Sequence, residues 1–384
     1  MGSSRDRREI PSGRPLFRER ICPSANGRRK LTRRPSKIHA QLSGRAPSSG
    51  PTGGVRIATN QTSCQCQENG EVPTEQRRLG EAVTIEFNGR VAVVTGAGNG
   101  LGRSYALALA SRGARVVVND LGGAIDGSGG SGTPADAVVE EIRAAGGEAL
   151  ANYDSVAEPD SAANIVQTAL DNFGQIDIVI NNAGIVRDKT FHKMSLDDYD
   201  FVAKVHYLGS VYVTHAAYPH MREANYGRVL MVSSNSGLYG NFGQTNYSAA
   251  KMAVVGFMNT LKLEGARNNI VVNALAPLAA TRIAEPSGIF ETYDAELVTP
   301  EAVAAMVTYL VSEDCTDSGN IVAATAGYYS RIQVMESEGV RVDPRAEMTP
   351  DKIAEFWPQI HAMRNPTGYD DAVANLTAVM AKED

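Results

Sequence analysis

The sequence predicts an α/β protein with a doubly wound parallel sheet, and two observations support this. From Arg90 onward, apolar runs of strand length alternate with segments of helical composition, which is typical of a parallel sheet with helices on both faces. Within that pattern, residues 91–110 form an apolar run, a glycine-rich turn and a helical segment. We expect one such domain over residues 83–348, a disordered basic extension over 1–82 and a helical tail over 349–384.

The glycine-rich turn follows the predicted strand Val91–Val94. Such a turn lets the backbone approach a pyrophosphate and places the anion at the helix N-terminus. The next predicted strand begins at Arg115 and ends at Asp120, where a carboxylate can bind ribose hydroxyls and would repel a 2′-phosphate. The pattern therefore predicts that the chain binds NAD. The candidate contacts in the turn are Gly96, Asn99, Gly100, Leu101 and Gly102.

The charge distribution, hydropathy and cysteine content argue against several classes of protein. Residues 1–82 carry 16 Lys and Arg against 7 Asp and Glu, whereas the remainder carries 21 against 36. The acidic body argues against nucleic acid as a partner. No apolar stretch approaches the roughly 18 residues of a membrane span. The 4 cysteines give no disulfide framework and no metal site, which fits a cytoplasmic protein.

The first 82 residues are rich in Arg, Ser, Pro and Gly and have almost no apolar periodicity, so we expect disorder. An organellar transit peptide and an anionic-surface contact through the Arg28–Lys37 cluster are alternatives. A further hypothesis is that translation normally starts near Val83, where the domain begins.

Polar residues follow two further predicted strands. Asp154 and Ser155 come shortly after the strand Glu148–Asn152, where such residues can reach an adenine, although Asp154 could equally cap the next helix. Asn181 and Asn182 end the fourth strand, where amides can tie neighbouring strands together beside a ligand. A long helical region, about 195–224, follows and is predicted to break at Pro219.

The candidate catalytic residues lie around the fifth predicted strand. Ser234 follows that strand, and Tyr247 and Lys251 share one face of a predicted helix. Lowering a tyrosine pKa from about 10 to about 7 needs roughly 4 kcal/mol. One cation about 4 Å away supplies about that much at an effective dielectric near 20. We therefore expect Lys251, helped by an oxidised nicotinamide, to make Tyr247 a base while Ser234 orients a substrate oxygen.

These motifs, in this order and at this spacing, resemble the short-chain dehydrogenase/reductases, whose Rossmann fold the chain is expected to share. The chain also resembles the (3R)-hydroxyacyl-CoA dehydrogenase unit of peroxisomal multifunctional enzymes of type 2 and its bacterial stand-alone relatives. The segments that carry this second resemblance are 119–123, 151–156 and 239–244.

The resemblance implies roles for single residues. Asp120 would bind the adenosine ribose, Asp154 and Ser155 would face the adenine, Asn182 would lie along the cofactor, and Lys251 would hold the nicotinamide ribose. Thr281 is a further cofactor candidate, although the preceding Ala276-Pro277-Leu278 departs from the family pattern. His206 stands where many members have an asparagine, and a packed or water-bonded histidine is as good an interpretation as a catalytic one.

The substrate and the assembly follow from the same resemblance. We expect NAD-dependent oxidation of a secondary alcohol, with a (3R)-3-hydroxyacyl-CoA as substrate, a 17β-hydroxysteroid as the alternative, and a non-catalytic nucleotide-binding protein as the hypothesis from another class. Segment 282–299 is expected to cover the substrate. A homodimer or homotetramer is implied, with dimer contacts through the helices around Val202–Ala217 and Tyr247–Glu264.

Overall fold

The computed structural model describes residues 84–281 and 295–381. The predicted disordered extension and the greater part of the predicted substrate cover lie outside these residues. The described residues contain one eight-stranded sheet in the order β3-β2-β1-β4-β5-β6-β7-β8. The strands are β1 Val91–Thr95, β2 Arg115–Asn119, β3 Glu148–Asn152, β4 Ile178–Asn181, β5 Gly227–Val232, β6 Ile270–Pro277, β7 Ile321–Thr325 and β8 Tyr328–Ile332.

All neighbouring strands pair in parallel except β7 and β8, which are antiparallel. Strand β1 pairs with β2 on one side and β4 on the other, so the order of the strands reverses there. In open sheets of this kind the crevice at such a reversal binds ligands at the carboxyl ends of the strands. The predicted doubly wound fold is confirmed.

Helices cover both faces of the sheet. They are α1 Gly100–Ala110, α2 Thr133–Ala144, α3 Pro159–Phe173, α4 Leu196–Ala203, α5 Gly209–Glu223, α6 Asn235–Tyr239, α7 Thr245–Gly265, α8 Pro300–Leu310, α9 Pro350–His361 and α10 Ala372–Met380. Apolar side chains of α1, α2 and α8 pack into the core on one face. Those of α3, α5 and α7 form the core on the other. Because every central strand is covered on both sides, its residues are apolar almost without interruption.

The predicted break at Pro219 is wrong. Residues Lys204–Leu208 form a π-helical turn between α4 and α5, and α5 continues through Pro219 to Glu223. Val213, Ala217 and Met221 are buried on the sheet-facing side of α5. Packing of this apolar side therefore holds the helix together although the proline removes one backbone hydrogen bond.

The segment after residue 349 contains the helices α9 and α10, and both are exposed. No residue of α9 or α10 is buried, and Trp357 is 55% exposed. Arg341 links α10 to the preceding segment by donating to the carbonyl oxygens of Ala378 and Val379. Among the residues described, no helix combines the length and apolarity needed to cross a membrane.

Candidate active site

A cavity of about 860 Å³ lies at the carboxyl ends of the strands, beside the reversal in strand order. Its volume is within the range of about 300–1,000 Å³ that is usual for small-molecule sites. The structure brings every site residue predicted from the sequence to the wall of this one cavity. These are Gly96, Asn99, Gly100, Leu101, Gly102, Asp120, Asp154, Ser155, Asn182, Ser234, Tyr247, Lys251 and Thr281.

The glycine turn has no room for larger residues. A Cβ at Gly102 would lie 2.2 Å from the carbonyl oxygen of Gly96 and 2.6 Å from Nδ2 of Asn182. Gly96 has φ +62°, a conformation that L side chains rarely adopt. Helix α1 starts at Gly100, so its first N–H groups, which have no partner within the helix, point towards the cavity edge. This cradle fits the pyrophosphate of a dinucleotide.

Asp120 is held rigidly at the end of β2. One carboxylate oxygen accepts from the N–H of Gly98 at 2.8 Å, and the other accepts from the N–H of Gly122 at 2.6 Å. Each oxygen can accept a further hydrogen bond, so the fixed carboxylate can still bind two ribose hydroxyls. The donor set therefore fits the adenosine half of NAD.

Asn182 ties β4 to the glycine turn, as the sequence suggested for an amide at that position. Its Nδ2 donates to the carbonyl oxygens of Thr95 at 2.9 Å and Gly96 at 3.0 Å. Asn181 points elsewhere and donates to Oγ1 of Thr214 at 2.9 Å. Asn182 thus fixes the turn while facing the cavity.

Asp154 does not cap the following helix, because α3 begins at Pro159 with Glu158 at its N-cap position. The Asp154 carboxylate accepts from Nδ2 of Asn152 at 2.8 Å and from the side-chain hydroxyl of Ser161 in α3 at 3.3 Å, but from no backbone N–H of that helix. The hydroxyl of Ser155 accepts from the N–H of Ala157 at 3.1 Å. Of the two interpretations of Asp154, a residue facing the ligand cavity is the one that its position fits.

Thr281 lies opposite the start of α1. A Cβ at Gly100 would be 3.2 Å from Cγ2 of Thr281. Although the preceding Pro277-Leu278 departs from the family pattern, the chain still brings Thr281 to the cavity wall.

Ser234, Tyr247 and Lys251 meet at the other end of the cavity. Ser234 follows β5 and caps α6, its hydroxyl accepting from the N–H of Ser236 at 3.1 Å. It lines the same cavity as Tyr247. Lys251 is buried one turn further along α7, and its Nζ donates to the carbonyl oxygen of Val232 at 2.6 Å.

The electrostatics of this pair differ from the sequence-based expectation. Burial raises the pKa of Tyr247 to about 12, against the opposing effect of the Ser234 hydroxyl, and burial lowers the pKa of Lys251 to about 7. Removal from water penalises the charged form of each group. The lysine Nζ lies 5.6 Å from the centroid of the tyrosine ring and is engaged by a carbonyl. Both groups therefore favour their neutral forms in this environment.

His206 lies in the π-helical turn and packs against Tyr247. The two rings meet edge to face with centroids 5.0 Å apart. Nε2 is 2.7 Å from the carbonyl oxygen of Ile185, and Nδ1 has no hydrogen-bond partner within the described part of the chain. Burial first, and then the charge of Lys251, hold the pKa of His206 well below its ordinary value. The ring is therefore a neutral packed group, which is one of the two interpretations that the sequence left open.

Two features of the site were not found from the sequence. The loop 121–132 follows Asp120, and its residues Ala124 and Ile125 line the cavity. Asn246 is fully buried, and its Oδ1 accepts from the N–H of Tyr247 at 2.8 Å. Both could have been suspected from the sequence, because the loop directly follows Asp120 and Asn246 directly precedes Tyr247.

Comparison with known proteins agrees with this geometry. The family model for short chain dehydrogenases matches residues 90–287. A protein of Mycobacterium tuberculosis named as a short-chain type dehydrogenase/reductase is 53% identical over 71% of this chain and 93% of its own length.

Two solved structures are also similar. The chain matches full-length peroxisomal multifunctional enzyme type 2 from Drosophila melanogaster with a TM-score of 0.64 and 38% identity, covering 77% of this chain and 49% of that one. It thus spans about half the length of that relative. A 7α-hydroxysteroid dehydrogenase, solved with NADH and 7-oxoglycochenodeoxycholic acid, matches with a TM-score of 0.57 and 26% identity, covering 63% of this chain and 95% of that one.

Proposed function

The chain belongs to the short-chain dehydrogenase family and is an oxidoreductase, and from this premise we propose that it oxidises a (3R)-3-hydroxyacyl-CoA to the 3-ketoacyl-CoA with NAD+. The observation that carries the proposal is the convergence of Ser234, Tyr247 and Lys251 on a cavity whose other end holds Asp120. A hydride donor and its acceptor could be bound there side by side.

The protein's own groups supply the proton chemistry. Bound NAD+ would accept the hydride from the substrate carbon. Ser234 donates a hydrogen bond to the substrate oxygen, and Tyr247 takes the hydroxyl proton. Lys251 would hold the nicotinamide ribose. When protonated, it favours the phenolate of Tyr247, and a positive nicotinamide beside it would act in the same direction.

The preference for NAD over NADP rests on Asp120. Two backbone N–H groups fix its carboxylate at the end of β2, where a 2′-phosphate would meet a negative charge. The NADH complex of the 7α-hydroxysteroid dehydrogenase supports a nicotinamide cofactor in a cavity of this fold. Equilibrium binding of NAD+ and NADP+ tests the preference, and tighter binding of NADP+ would refute it.

The substrate class is proposed from the resemblance to multifunctional enzyme type 2. A steroid alcohol is the second candidate, supported by the similarity to a 7α-hydroxysteroid dehydrogenase and by Ile125 and Phe201 on the cavity wall. Both substrates present a secondary hydroxyl beside a large apolar body.

NADH production by the purified full chain tests the proposal. The substrates are matched (3R)- and (3S)-3-hydroxyacyl-CoAs and a 17β-hydroxysteroid. Clear preference for the (3R) thioester supports the proposed substrate. Preference for the steroid would instead indicate a steroid dehydrogenase that uses the same catalytic residues. Absence of turnover with every substrate, with NAD+ still bound, would favour a non-catalytic nucleotide-binding protein.

We propose further that the protein is cytoplasmic and forms a homodimer or homotetramer. The few cysteines support the location. Cell fractionation with an antibody to the native protein tests it, and recovery in peroxisomes or another organelle would refute it.

A further inference from the structure

The loop 121–132, here called the glycine-rich loop, is folded against the cavity and does not hang free. The carbonyl oxygen of Leu121 accepts from Ser131, and that of Ser128 accepts from Ala124, so the loop closes on itself. A Cβ at Gly127 would lie 2.7 Å from Cε1 of Phe201. The loop thus packs on α4 while its first half lines the cavity beside Asp120.

Two hydrogen bonds join this loop to the segment after β4. The N–H of Val186 donates to the carbonyl oxygen of Ile125 at 2.9 Å. Nε of Arg187 donates to the carbonyl oxygen of Asp126 at 2.8 Å. Cζ of Arg187 also lies 4.4 Å from the centroid of the Phe201 ring. This stacking keeps the planar guanidinium in one orientation.

The same segment is joined to the start of α7 by three further hydrogen bonds. The carbonyl oxygen of Arg187 accepts from Nδ2 of Asn246 at 3.1 Å. The carboxylate of Asp188 accepts from Gln244 at 2.6 Å, and the N–H of Lys189 donates to the carbonyl oxygen of Gly243 at 2.9 Å.

Asn246 completes the connection. Its side chain is fully buried, and while Nδ2 binds Arg187, its Oδ1 accepts from the N–H of Tyr247. A continuous set of contacts therefore runs from the loop beside Asp120, through Arg187, to the backbone of Tyr247. The same set of contacts therefore holds both the Asp120 end and the Tyr247 end of the cavity.

We propose that Arg187 is a positioning residue that couples the glycine-rich loop of the cofactor side to the helix that carries Tyr247. The inference rests on the proposed function for its cofactor, NAD. Ordering of the loop when the adenosine end of the cavity is filled would then restrict segment 186–189 and, through Asn246, the first turn of α7. Arg187 itself need touch neither ligand.

The test measures NAD+ binding and hydrogen exchange on the full chain, with no alcohol substrate present. Arg187→Met keeps the aliphatic stem over Phe201 and removes the donor to Asp126. We expect NAD+ to bind about tenfold more weakly, which is the size of one lost hydrogen bond to a charged group. In the wild type, NAD+ should slow exchange in both 121–132 and 243–248, whereas in this variant the slowing of 243–248 should be lost.

A matched control separates this role from the ion pair of the same side chain. Arg187 also binds Asp198, with Nη1 and Oδ1 at 3.1 Å. Asp198→Asn removes that charge pair together with the weaker one between Asp198 and Lys189 at 3.4 Å, and it leaves the bond from Arg187 to Asp126, so both readouts should stay close to those of the wild type. If Asp198→Asn behaves like Arg187→Met, the ion pairs of Asp198 are responsible and the proposal is overturned.

Two milder variants keep the test decisive if Arg187→Met does not fold. Arg187→Lys keeps the charge but lacks the fork that binds Asp126 and Asp198 together. Gly127→Ala strains the loop from its other side, because Gly127 has φ +85° and contacts Phe201. Both should weaken the NAD+-dependent protection of 243–248.

Unchanged protection in these variants, with normal NAD+ binding, would overturn the coupling and leave the proposed function intact. A wild-type chain that binds neither NAD+ nor NADP+ would overturn both. Failure to oxidise any hydroxyacyl-CoA concerns the proposed function alone, because the binding and exchange measurements contain no such substrate.

Discussion

At the scale of single residues, Lys251 is buried and Tyr247 is partly buried beside it, and the protein favours the neutral form of each. Their placement beside Ser234 makes Tyr247 the candidate base, and the phenol oxygen is the atom that would carry the proton. Tyr247→Phe should reduce NAD+-dependent alcohol oxidation by at least about 100-fold, because general-base catalysis is lost.

The matched control for that change is Tyr239→Phe. Tyr239 lines the same cavity but is 71% exposed. The control should retain activity, and both variants should bind NAD+ with the wild-type dissociation constant in an equilibrium titration. Substantial turnover by Tyr247→Phe would remove the tyrosine from the mechanism.

Lys251 should also make the free energy of unfolding depend on pH. Burial lowers its pKa from 10.5 to about 7, so between about pH 7 and 10 the unfolded chain binds more protons than the folded one. The contribution of Lys251 to the free energy of unfolding therefore rises with pH across this window, and below about pH 7 its burial cost is fully present.

Lys251→Met removes this dependence. In urea unfolding of the cofactor-free protein between pH 6.5 and 9.5, the wild type should gain stability relative to the variant as pH rises. The upper limit stays below the ordinary range of tyrosine titration. Parallel curves would mean that Lys251 keeps an ordinary pKa in the folded protein.

At the scale of elements, the short helix α6 packs directly on α7 at the position of Lys251. A Cβ at Gly237 would lie 2.8 Å from Cβ of Lys251 and 2.9 Å from its carbonyl carbon. Gly237→Ala should therefore destabilise the protein by about 1–3 kcal/mol, the usual cost of overpacking, and should lower turnover by displacing Lys251.

Ser236→Ala is the matched control for this contact. The hydrogen bond to Ser234 uses the backbone N–H of residue 236, so it survives the change. The melting temperature of this variant should remain that of the wild type. An unchanged melting temperature for Gly237→Ala would show that α6 can move away from α7 at no cost.

At the scale of the whole molecule, the outward side of α7 has no partner within the described part of the chain. Met252 and Leu263 are 41% and 49% exposed and lie about three turns apart, and a Cβ at Gly256 between them would meet open space. This is one of the two helices through which the family resemblance implies a dimer.

If the proposed dimer or tetramer forms through this face, Met252→Glu should convert it to a smaller species, because a charge would be buried at the contact. Met252→Leu keeps the apolar surface and should keep the assembly. Light scattering after size exclusion gives the mass of the full chain, which is 40.9 kDa for one copy. Equal masses for the two variants would exclude this face.

The sequence by itself determined the parallel sheet, the glycine turn, Asp120 and the trio Ser234, Tyr247 and Lys251. These features depend on local periodicity and on short spacings between residues. Such patterns can be recognised without knowing what packs against the residues.

Only the tertiary structure decided the continuity of α5 through Pro219, the direction of the pKa shifts and the path of the glycine-rich loop. Each depends on what packs against the residue. A buried helix face outweighs one lost hydrogen bond, and burial outweighs the attraction between neighbouring groups. Long-range partners such as Asp126 and Arg187 are 61 residues apart, a separation that no local pattern reports.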